Sequence, residues 1–414
     1  MEEILTMRIL MLTQWFDPEP TFKGLPFAKE LAKRGHQVEV LTGFPNYPGG
    51  EVYDGYRIRP MQRETMDGIS VLRVPLYPSH DTSALGRIAN YGSFALSSAI
   101  LGVLLAKPVD LIYVYHPPAT VGLSAIALSF FRRVPFVYDI QDLWPDTLAA
   151  TGMLNNGVAL RMIAKLCSHT YRLSTKIVVL SPGFRKQLIA RGVPAEKIEV
   201  IYNWCDEGQI RDSAGDKGVA QELALSERFS IVFAGTMGKA QGLDAVLDAA
   251  ALIAGRYSEI QFVFVGGGIE VDRLKKRAKD ESLINVKFLP RRPVSEIGPV
   301  LKTADVLLVH LKDAPLFNIT IPSKIQAYMA AGRPILVAVR GDAADLVEKA
   351  NAGMSCIPED SESIAAAVEK LYAMPRNQRE ELGENGRKFY ERELSLRAGV
   401  GKFEDIFLSV VRKQ

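Results

Sequence analysis

Short apolar runs alternate with longer helical patterns along almost the whole length of this 414-residue chain. The run from 8 to 13 is apolar on both faces, which is typical of a parallel strand covered by helices on both sides. Residues 25–34 then show helical periodicity, and Gly35 follows as a helix terminator. Because the alternation continues, the chain is predicted to fold into α/β domains with doubly wound parallel sheets.

The strands fall into two series, separated by a polar, weakly patterned segment over 206–227. We predict two Rossmann-like domains, over 1–205 and 206–390, joined near 203–227, and a helical segment over 391–414 that packs back on the first. The domains would face each other across a central cleft, because ligands of open α/β sheets bind at the carboxyl ends of the strands. The predicted strands cover residues 8–13, 37–41, 110–115, 135–139 and 176–180, then 230–234, 261–265, 285–289, 304–309 and 334–339.

Composition excludes several classes of protein. Hydrophobic residues make up 48% of the chain and charged residues 23%, as in ordinary globular proteins, and a net charge of +3 argues against nucleic-acid binding. The three cysteines lie far apart, which predicts neither a disulfide nor a zinc site and fits a reduced cytoplasmic setting. The N-terminus does not resemble a signal peptide. The longest apolar run, over 94–106, is shorter than the about 20 residues of a membrane-spanning helix, so none is predicted.

Several familiar fingerprints are absent from the sequence. The first strand is not followed by G-x-G-x-x-G, and Gly24 stands nearly alone in the loop where a nicotinamide or flavin would bind. No Walker A loop, G-x-S-x-G elbow or glycosidase-like carboxylate pair is present. No Asp-x-Asp stands where a metal would hold a diphosphate, so we expect neither a cofactor nor a metal ion.

A glycine-containing loop follows the first strand of the second series. Gly235 and Gly242 bracket a segment that leads from the strand into a helix. Glycines let the backbone approach a ligand, and a helix N-terminus offers free N–H groups, a combination suited to a phosphate or diphosphate. The three glycines at 266–268, after the next strand, form a similar but less specific loop. The alternative is a tight turn with glycines required only for its backbone angles.

The start of a second helix gives the strongest indication of a ligand-binding site in the sequence. Pro322 and Ser323 predict the beginning of a helix that ends before the strand at 334–339, with Gly332 as its terminator. Lys324 then lies in the first turn, where a cation is unfavourable unless an anion is bound beside it. The alternative is a solvated lysine.

Polar residues also follow two strands of the N-terminal domain. His116 comes after the strand at 110–115, and Asp142 and Trp144 come after the strand at 135–139. A histidine and a carboxylate at strand ends are candidates for recognising a substrate hydroxyl or for handling a proton. The alternatives are a structural histidine, an aspartate that caps a helix and a tryptophan that fills core space.

These segments resemble a known family over nearly the whole chain. Residues 35–38, 235–242 and 322–334 resemble the retaining glycosyltransferases of family 4, which have the GT-B fold. Residues 16–21, 43–48 and 141–145 resemble the bacterial subgroup often labelled L-fucosamine-transferase-like, which makes O-antigen, capsule or exopolysaccharide. The resemblance implies metal-independent transfer with retention, from a nucleotide-diphosphate sugar held by the second domain to an acceptor held by the first.

The resemblance also implies a role for each matching residue. His116 and Lys324 would act on the transferred sugar and the departing diphosphate, the latter by electrostatic stabilisation. The acceptor would lie beside Lys23, Gly24, Asp142 and Trp144. The nucleotide-sugar would contact Gly235, Thr236, Lys239, Gln241, Gly242, Gly267, Leu289, Arg291, Asn318, Pro322 and Ser323.

The chain departs from the family pattern at several positions. The family commonly has two glutamates where this chain has Ile319 and Ala327, and the second glutamate usually holds the ribose. The basic pair that often binds the diphosphate aligns with Thr236 and Gln241. Lys324 and Lys239 are left to supply positive charge.

The resulting hypothesis is transfer of a sugar from a UDP-sugar to a lipid-linked glycan in surface polysaccharide synthesis. An acetamido-deoxyhexose such as N-acetyl-fucosamine is the expected sugar. A membrane-bound acceptor implies peripheral contact of the first domain with the inner face of the cell membrane, for which Arg132 and Arg133 beside Phe130 and Phe131 are candidates. A nucleotide-sugar epimerase on the same fold and a two-lobed sugar-binding module are the alternatives.

Overall fold

The computed structural model describes residues 5–79, 84–150, 152–211 and 228–412, which form two compact units. The first contains Met1–Tyr202 together with Gly399–Gln414, and the second contains Asn203–Ala398. Most of the predicted linker, residues 212–227, lies outside the described residues.

The first unit is built on an eight-stranded sheet in the order β3-β4-β2-β1-β5-β6-β7-β8. All neighbouring strands are parallel except β3 and β4, which form an antiparallel hairpin at one edge. The central strands are buried on both faces, as their apolar sequences require. The strands are β1 Arg8–Leu12, β2 Gln37–Gly43, β3 Gln62–Met66, β4 Ile69–Val74, β5 Leu111–His116, β6 Phe136–Ile140, β7 Lys176–Val179 and β8 Ile198–Val200.

Helices cover both faces of this sheet. On one face, the C-terminal helix packs Phe403 against Phe27 and Tyr113, with ring centroids 5.3 and 5.5 Å apart. Residues of that helix from Gly399 onward belong to the first unit. The α-helices of the unit are α1 Leu25–Lys33, α2 Ala84–Leu105, α3 Val121–Arg132, α4 Asp146–Ala150, α5 Gly157–Leu173, α6 Pro182–Ala190 and, after the second unit, α16 Leu396–Val411.

The second unit contains a six-stranded, entirely parallel sheet in the order β11-β10-β9-β12-β13-β14. Its strands are β9 Phe229–Ala234, β10 Ile260–Val265, β11 Val286–Leu289, β12 Val306–His310, β13 Ile335–Ala338 and β14 Gly353–Ser355. Its helices are α7 Glu207–Arg211, α8 Asp244–Ala254, α9 Val271–Asp280, α10 Val294–Thr303, α11 Pro315–Asn318, α12 Ser323–Ala331, α13 Asp342–Lys349, α14 Ser361–Ala373 and α15 Arg376–Phe389.

The predicted fold class, α/β with two Rossmann-like domains, is confirmed, and each predicted strand is present within one or two residues of its expected ends. The sequence analysis missed four strands: the β3–β4 hairpin and the short strands β8 and β14.

One helix is longer and more apolar than the sequence analysis expected. The apolar run at 94–106 is part of α2, and the segment Gly86–Leu105 is long and apolar enough to cross a membrane by length and composition alone. In this structure α2 packs along α3, with the hydroxyl oxygens of Ser98 and Ser124 2.8 Å apart.

Candidate functional site

A pocket of about 420 Å³ lies at the carboxyl ends of the central strands in the second unit. It brings together segments that follow β9, β10 and β11, together with the first turn of α12. We call it the glycine pocket; its lining residues are Ala234, Gly235, Thr236, Val265, Gly266, Gly267, Gly268, Arg291, Arg292, Ile297, Leu301, Ser323, Lys324, Ala327 and Tyr328.

The close approach of two loops depends on the absence of side chains. Gly266 and Gly268 have φ angles of 147° and 146°, a region that other residues rarely adopt. A Cβ atom on Gly266 would lie 2.0 Å from the carbonyl oxygen of Gly235, and one on Gly268 would lie 2.2 Å from that of Met237. These glycines therefore let the backbones that form the pocket floor touch directly.

The side chain of Lys324 lines the glycine pocket beside this floor. Its Nζ atom lies 3.3 Å from the centroid of the Phe233 ring, and a Cβ on Gly235 would lie 2.9 Å from its Cε. Burial lowers the pKa of Lys324 to about 7. No hydrogen bond or ion pair joins the Lys324 side chain to another side chain or to the backbone in the described part of the chain. A buried cation without a carboxylate partner favours the binding of an anion.

The other charged residues that line the pocket are also cations. Arg291 and Arg292 line it together with Lys324, and none of the lining residues is Asp or Glu. The N-terminus of α12 opens into it, and no side chain caps that terminus. Arg292 also pairs with Glu296 at 3.4 Å. Free N–H groups at a helix N-terminus, together with Lys324 and Arg291, suit a doubly charged group such as a diphosphate.

One wall of the pocket is apolar. Ile297, Leu301 and Ala327 line this wall with Val265 and Tyr328. The Tyr328 hydroxyl accepts a hydrogen bond from the backbone N–H of Ala234 at 2.9 Å and donates to the carbonyl of the same residue at 3.2 Å. These two bonds fix α12 against the end of β9. An apolar wall of this kind can pack against a flat, weakly polar group.

The pocket contains six of the predicted donor-site residues, namely Gly235, Thr236, Gly267, Arg291, Ser323 and Lys324. Sequence reasoning missed Arg292 and Tyr328, which also line it. Arg292 follows the predicted Arg291 directly, so a pair of cations after a strand was the available signal.

The remaining donor-side predictions do not line the pocket. Lys239 is exposed, and the Gln241 side chain accepts a hydrogen bond from the backbone N–H of Gly238 at 2.9 Å. Gly242 has a φ of 55° and a Cβ there would lie 3.0 Å from Lys312, so it serves the turn.

The last three predicted donor residues adjoin the pocket through the backbone or lie beyond it. The Leu289 carbonyl accepts a hydrogen bond from the N–H of Gly266 at 3.2 Å, and Pro322 precedes the first residue of α12. Asn318 ends α11, where its side-chain nitrogen donates to Asp313 at 3.3 Å.

A buried histidine, His310 at the end of β12, was not singled out by the sequence analysis. Its Nε2 atom accepts a hydrogen bond from the backbone N–H of Glu359 at 3.1 Å, so the proton lies on Nδ1, which donates to the Gln241 carbonyl at 2.6 Å. The ring is neutral because Nε2 accepts this bond, and burial lowers its pKa in the same sense. His310 thereby ties the loop after β9 to β12.

In the first unit, His116 ends β5 and is buried. Burial lowers its pKa to about 3, so the ring is neutral at physiological pH. Its Nδ1 atom has no hydrogen-bond partner among the described residues, and the ring packs against Tyr138 and Trp144, with centroids 5.7 and 5.6 Å away. A buried ring nitrogen without a partner is an unused hydrogen-bonding group, which makes His116 a candidate ligand contact.

Lys23, which was predicted to contact the acceptor, forms a buried ion pair in the first unit. Its Nζ atom lies 2.6 Å from the carboxylate of Asp139, and both side chains are fully buried. The Tyr113 hydroxyl and the Gln141 amide also donate to Asp139, at 2.6 and 2.7 Å. Burial lowers the pKa of Lys23, and the carboxylate opposes that shift. The Asp139 carboxylate therefore balances the positive charge of Lys23 inside the core.

The other three acceptor-side predictions lie near the ends of β1 and β6. Trp144 is largely buried, and its ring also lies against Tyr91. Burial raises the pKa of Asp142. Gly24 directly precedes α1, and a Cβ there would lie 2.2 Å from Asp17, whose carboxylate accepts a hydrogen bond from the first N–H of the helix.

A buried carboxylate in the first unit was also missed. Glu19 accepts hydrogen bonds from the backbone N–H groups of Asn46 and Tyr47, both at 2.8 Å, and of Phe16 at 3.2 Å. Burial raises its pKa to about 7 although these bonds favour the charged form. Glu19 thus fastens the loop after β2 to the loop after β1, in two of the segments that carried the subgroup resemblance.

Within the described residues, no group of three or more His, Cys, Asp or Glu side chains has an arrangement suited to a metal ion.

Two protein-family models match this chain. The family model described as "Glycosyl transferase 4-like domain" matches residues 25–204, and the model described as "Glycosyl transferases group 1" matches residues 218–389. Residues 25–202 of the first match lie in the first structural unit, and residues 228–389 of the second match lie in the second.

Curated and solved relatives agree with these matches. The chain is 27% identical to WcaI of Escherichia coli K12, a protein named as a colanic acid biosynthesis glycosyl transferase, over 90% of this chain and 93% of that protein. It is 24% identical to a protein of Pseudomonas aeruginosa named as the glycosyltransferase WbjE, over 64% and 67%. It shares its fold with Anabaena HepE solved in complex with UDP, at a TM-score of 0.70 and 20% identity, over 97% and 100%.

The two matched models, the relatives and the fold define the class: the chain is a glycosyltransferase of the GT-B type. The match of residues 25–204 to the family 4-like model agrees with the resemblance of the motifs to family 4.

Proposed function

We propose that the protein transfers a sugar from a UDP-sugar to a lipid-linked glycan, with retention and without a metal ion, in the synthesis of a surface polysaccharide. An acetamido-deoxyhexose is the proposed sugar, since three segments resemble the L-fucosamine-transferase-like subgroup. A nucleotide diphosphate is the donor class because of one observation: the buried ammonium of Lys324 faces a carboxylate-free pocket.

The glycine pocket offers a different surface to each part of the donor. The diphosphate would lie against Lys324 and the N-terminus of α12, with Arg291 and Arg292 alongside. The base would pack on the apolar wall. Positive charge from side chains and N–H groups supports metal-free binding, since it can take the place of a divalent cation.

The proposed reaction breaks the bond between the anomeric carbon and the diphosphate oxygen. The acceptor hydroxyl oxygen bonds to the same face of that carbon, and its proton passes to the departing diphosphate. Lys324 stabilises the negative charge that develops on the diphosphate in the transition state. His116, a neutral ring with a free nitrogen, would hydrogen-bond the transferred sugar.

The names of the relatives support the proposed cellular setting. WcaI is named for colanic acid biosynthesis, and related HepE has also been solved in complex with UDP-glucose. We propose a lipid-linked acceptor held by the first unit, and a position at the cytoplasmic face of the membrane. Asp142 and Trp144 remain the proposed acceptor contacts.

Nucleotide affinity should fall as the pH rises above 7. A bound diphosphate stabilises the charged form of Lys324, whose pKa is lowered to about 7 without ligand. Binding above that pH must therefore take up a proton, and affinity should decrease by up to about tenfold per pH unit. Calorimetry with UDP in buffers of different ionisation enthalpy measures both effects. A pH-independent affinity with no proton uptake would remove Lys324 from the binding step.

The donor assignment can be tested by calorimetry with UDP, GDP and ADP in the presence of EDTA. We expect UDP to bind most tightly and EDTA to leave its affinity unchanged. Tighter binding of GDP or ADP would overturn the choice of UDP, and a requirement for a divalent ion would overturn metal-free binding.

Transfer itself can be followed with radiolabelled UDP-sugars and a membrane lipid extract. We expect label to enter the organic-soluble fraction, and NMR of the product to show the anomeric configuration of the donor. An epimerase would instead change the sugar of the recovered nucleotide-sugar with no extract present.

A further inference from the structure

Five aromatic rings form a continuous row at the carboxyl edge of the first unit's sheet. The rings of Trp15 and Tyr47 are stacked, with centroids 4.6 Å apart and an angle of 28° between their planes. The Tyr91 ring lies 6.4 Å from that of Trp15 and 6.2 Å from that of Trp144, which lies 5.6 Å from the His116 ring. We call these five residues the ring row. It leads from the loop after β2 to the end of β5, where His116 is the proposed contact for the transferred sugar.

The outer rings of the row are open to a ligand. Trp15, Tyr47 and Tyr91 are half-buried. Rings that only fill the core are buried completely, as Tyr113 and Tyr138 are in this unit. Partly exposed rings at the edge of the sheet where ligands bind therefore provide a contact surface.

A common set of buried amides holds these three rings in place. Each ring directly follows one of the amides, in the pairs Gln14–Trp15, Asn46–Tyr47 and Asn90–Tyr91. The Gln14 amide donates to the side-chain oxygen of Asn90 at 2.6 Å, and the Asn90 amide donates to that of Asn46 at 3.2 Å. All three amides are at most 2% exposed. This connected set fixes the loops after β1 and β2 against α2.

The carboxylate of Glu19 holds the Tyr47 end of the row. One of its oxygens accepts the backbone N–H groups of Asn46 and Tyr47, both at 2.8 Å, and the other accepts that of Phe16 at 3.2 Å. Phe16 directly follows Trp15, so one buried carboxylate fixes the backbone beside both stacked rings. The stack is thus ordered before a ligand arrives, which lowers the cost of binding.

We propose that Trp15, Tyr47 and Tyr91 form a subsite that binds a sugar ring of the acceptor, with Glu19 and the three amides as its positioning residues. The inference rests on the proposed function, because it names the part of the acceptor that the first unit holds. A sugar bound on the row would lie beside His116, where the acceptor must approach the transferred sugar.

The chemistry of the row suits a sugar ring. Aromatic faces carry partial negative charge and attract the C–H groups on the apolar face of a sugar, whose hydroxyl groups point outward from its edge. Rings set among amides combine apolar and polar contacts, which a sugar requires and a hydrocarbon chain does not.

Binding can be measured without a donor or a transfer reaction. The probes are the methyl glycosides of glucose, galactose and N-acetylglucosamine, followed by saturation-transfer NMR with irradiation of the aromatic protons of the protein. We expect saturation on one face of the pyranose for at least one probe, and Trp15→Ala should lower the affinity for that probe by about tenfold. The matched control is Leu173→Ala, which removes an exposed side chain at the end of α5, before the amino end of β7, and should leave binding unchanged.

The acceptor KM gives a second measurement. With saturating donor and a membrane lipid extract as acceptor, Trp15→Ala should raise the KM for the extract by about tenfold and change kcat by less than about twofold. Trp15→Phe keeps a ring at this position and should raise that KM by less than about threefold. Both variants should bind UDP like the parent protein.

The positioning role of Glu19 predicts a pH dependence of the acceptor KM. The pKa of Glu19 is about 7, and a protonated carboxyl accepts weaker bonds from the N–H groups it faces, so the KM should rise as the pH falls below 7. Glu19→Gln should have the raised KM at every pH. The groups whose charge acts with that of Glu19 are Arg73 of β4 and Tyr53, whose pKa burial raises above its ordinary value of 10, so neither titrates near pH 7. Saturating donor keeps Lys324 charged.

Two results would contradict this inference while leaving the proposed function intact. One is an unchanged acceptor KM in the Trp15→Ala variant while label still enters the lipid fraction, and the other is no saturation of any probe. Failure of the proposed function looks different, because the parent protein would then label no lipid with any UDP-sugar, and the probes alone would decide the inference. If the Trp15→Ala variant fails to fold, Tyr47→Ala and the pH profile of Glu19→Gln take its place.

Discussion

Replacing Lys324 by alanine should lower sugar transfer by about 10²- to 10³-fold, the usual effect of removing one positioned group that stabilises charge in a transition state. The loss should appear in kcat, because the lysine acts most strongly on the charge that develops as the diphosphate departs. Turnover of a UDP-sugar, measured with saturating acceptor, checks this expectation.

The same substitution should not destabilise the unliganded protein at neutral pH. The pKa of Lys324 is about 7 in the folded protein and 10.5 in an ordinary setting. The unfolded chain therefore binds more protons between these values, and the free energy of unfolding should rise as the pH increases from 7 to 10.5. The alanine variant should lose this pH dependence, which thermal unfolding at several pH values measures.

The matched control is Lys276→Ala, an exposed lysine on α9, which should change neither turnover nor its pH profile. Full activity of the Lys324 variant would show that the pocket's cation plays no part in the reaction. A parallel loss of stability and activity would assign Lys324 to folding.

Replacing Gly266 by alanine should damage both the pocket and the stability of the second unit. The added Cβ would lie 2.0 Å from the Gly235 carbonyl oxygen, at a φ of 147°. Since backbone cannot give way as a side chain can, we expect the free energy of unfolding to fall by about 3 kcal/mol and UDP affinity to fall at least tenfold. Urea unfolding and calorimetry measure the two quantities.

The neighbouring Gly267 supplies the control for stability. The nearest atom to a Cβ at that position is the Arg291 Cβ, 4.0 Å away, so Gly267→Ala should change the free energy of unfolding by less than about 1 kcal/mol. Equal destabilisation by both substitutions would mean that the contact with Gly235 does not determine the loop's conformation.

The sheets could be predicted because their central strands are apolar on both faces, a signal that depends on few residues. The β3–β4 hairpin was not predicted because β3, Gln62–Met66, is polar and half exposed. Its signal was the two-residue turn of Asp67 and Gly68, which have φ angles of 47° and 87°. The extent of α2 was missed because Asn90 and Ser93 stand before the apolar run at 94–106, and these side chains bond inside the fold.

Part of the site could be predicted because it consists of local motifs. Glycines after strands and a lysine in the first turn of a helix can be recognised from neighbouring residues alone. The ion pair of Lys23 with Asp139 joins positions 116 residues apart, and nothing in either local sequence identifies the partner. The neutral state of His310 depends in the same way on the backbone N–H of Glu359.

The first unit is assembled from both ends of the chain, and this affects when it can fold during synthesis. Phe403 of α16 packs on Phe27 and Tyr113, and the Nζ atom of Lys23 lies 4.8 Å from the centre of its ring. The ribosome releases the residues of α16 only after the second unit has emerged. Nascent chains normally fold from the N-terminus onward. Here the second unit can be complete first, while the first keeps an unfinished aromatic core until α16 has emerged.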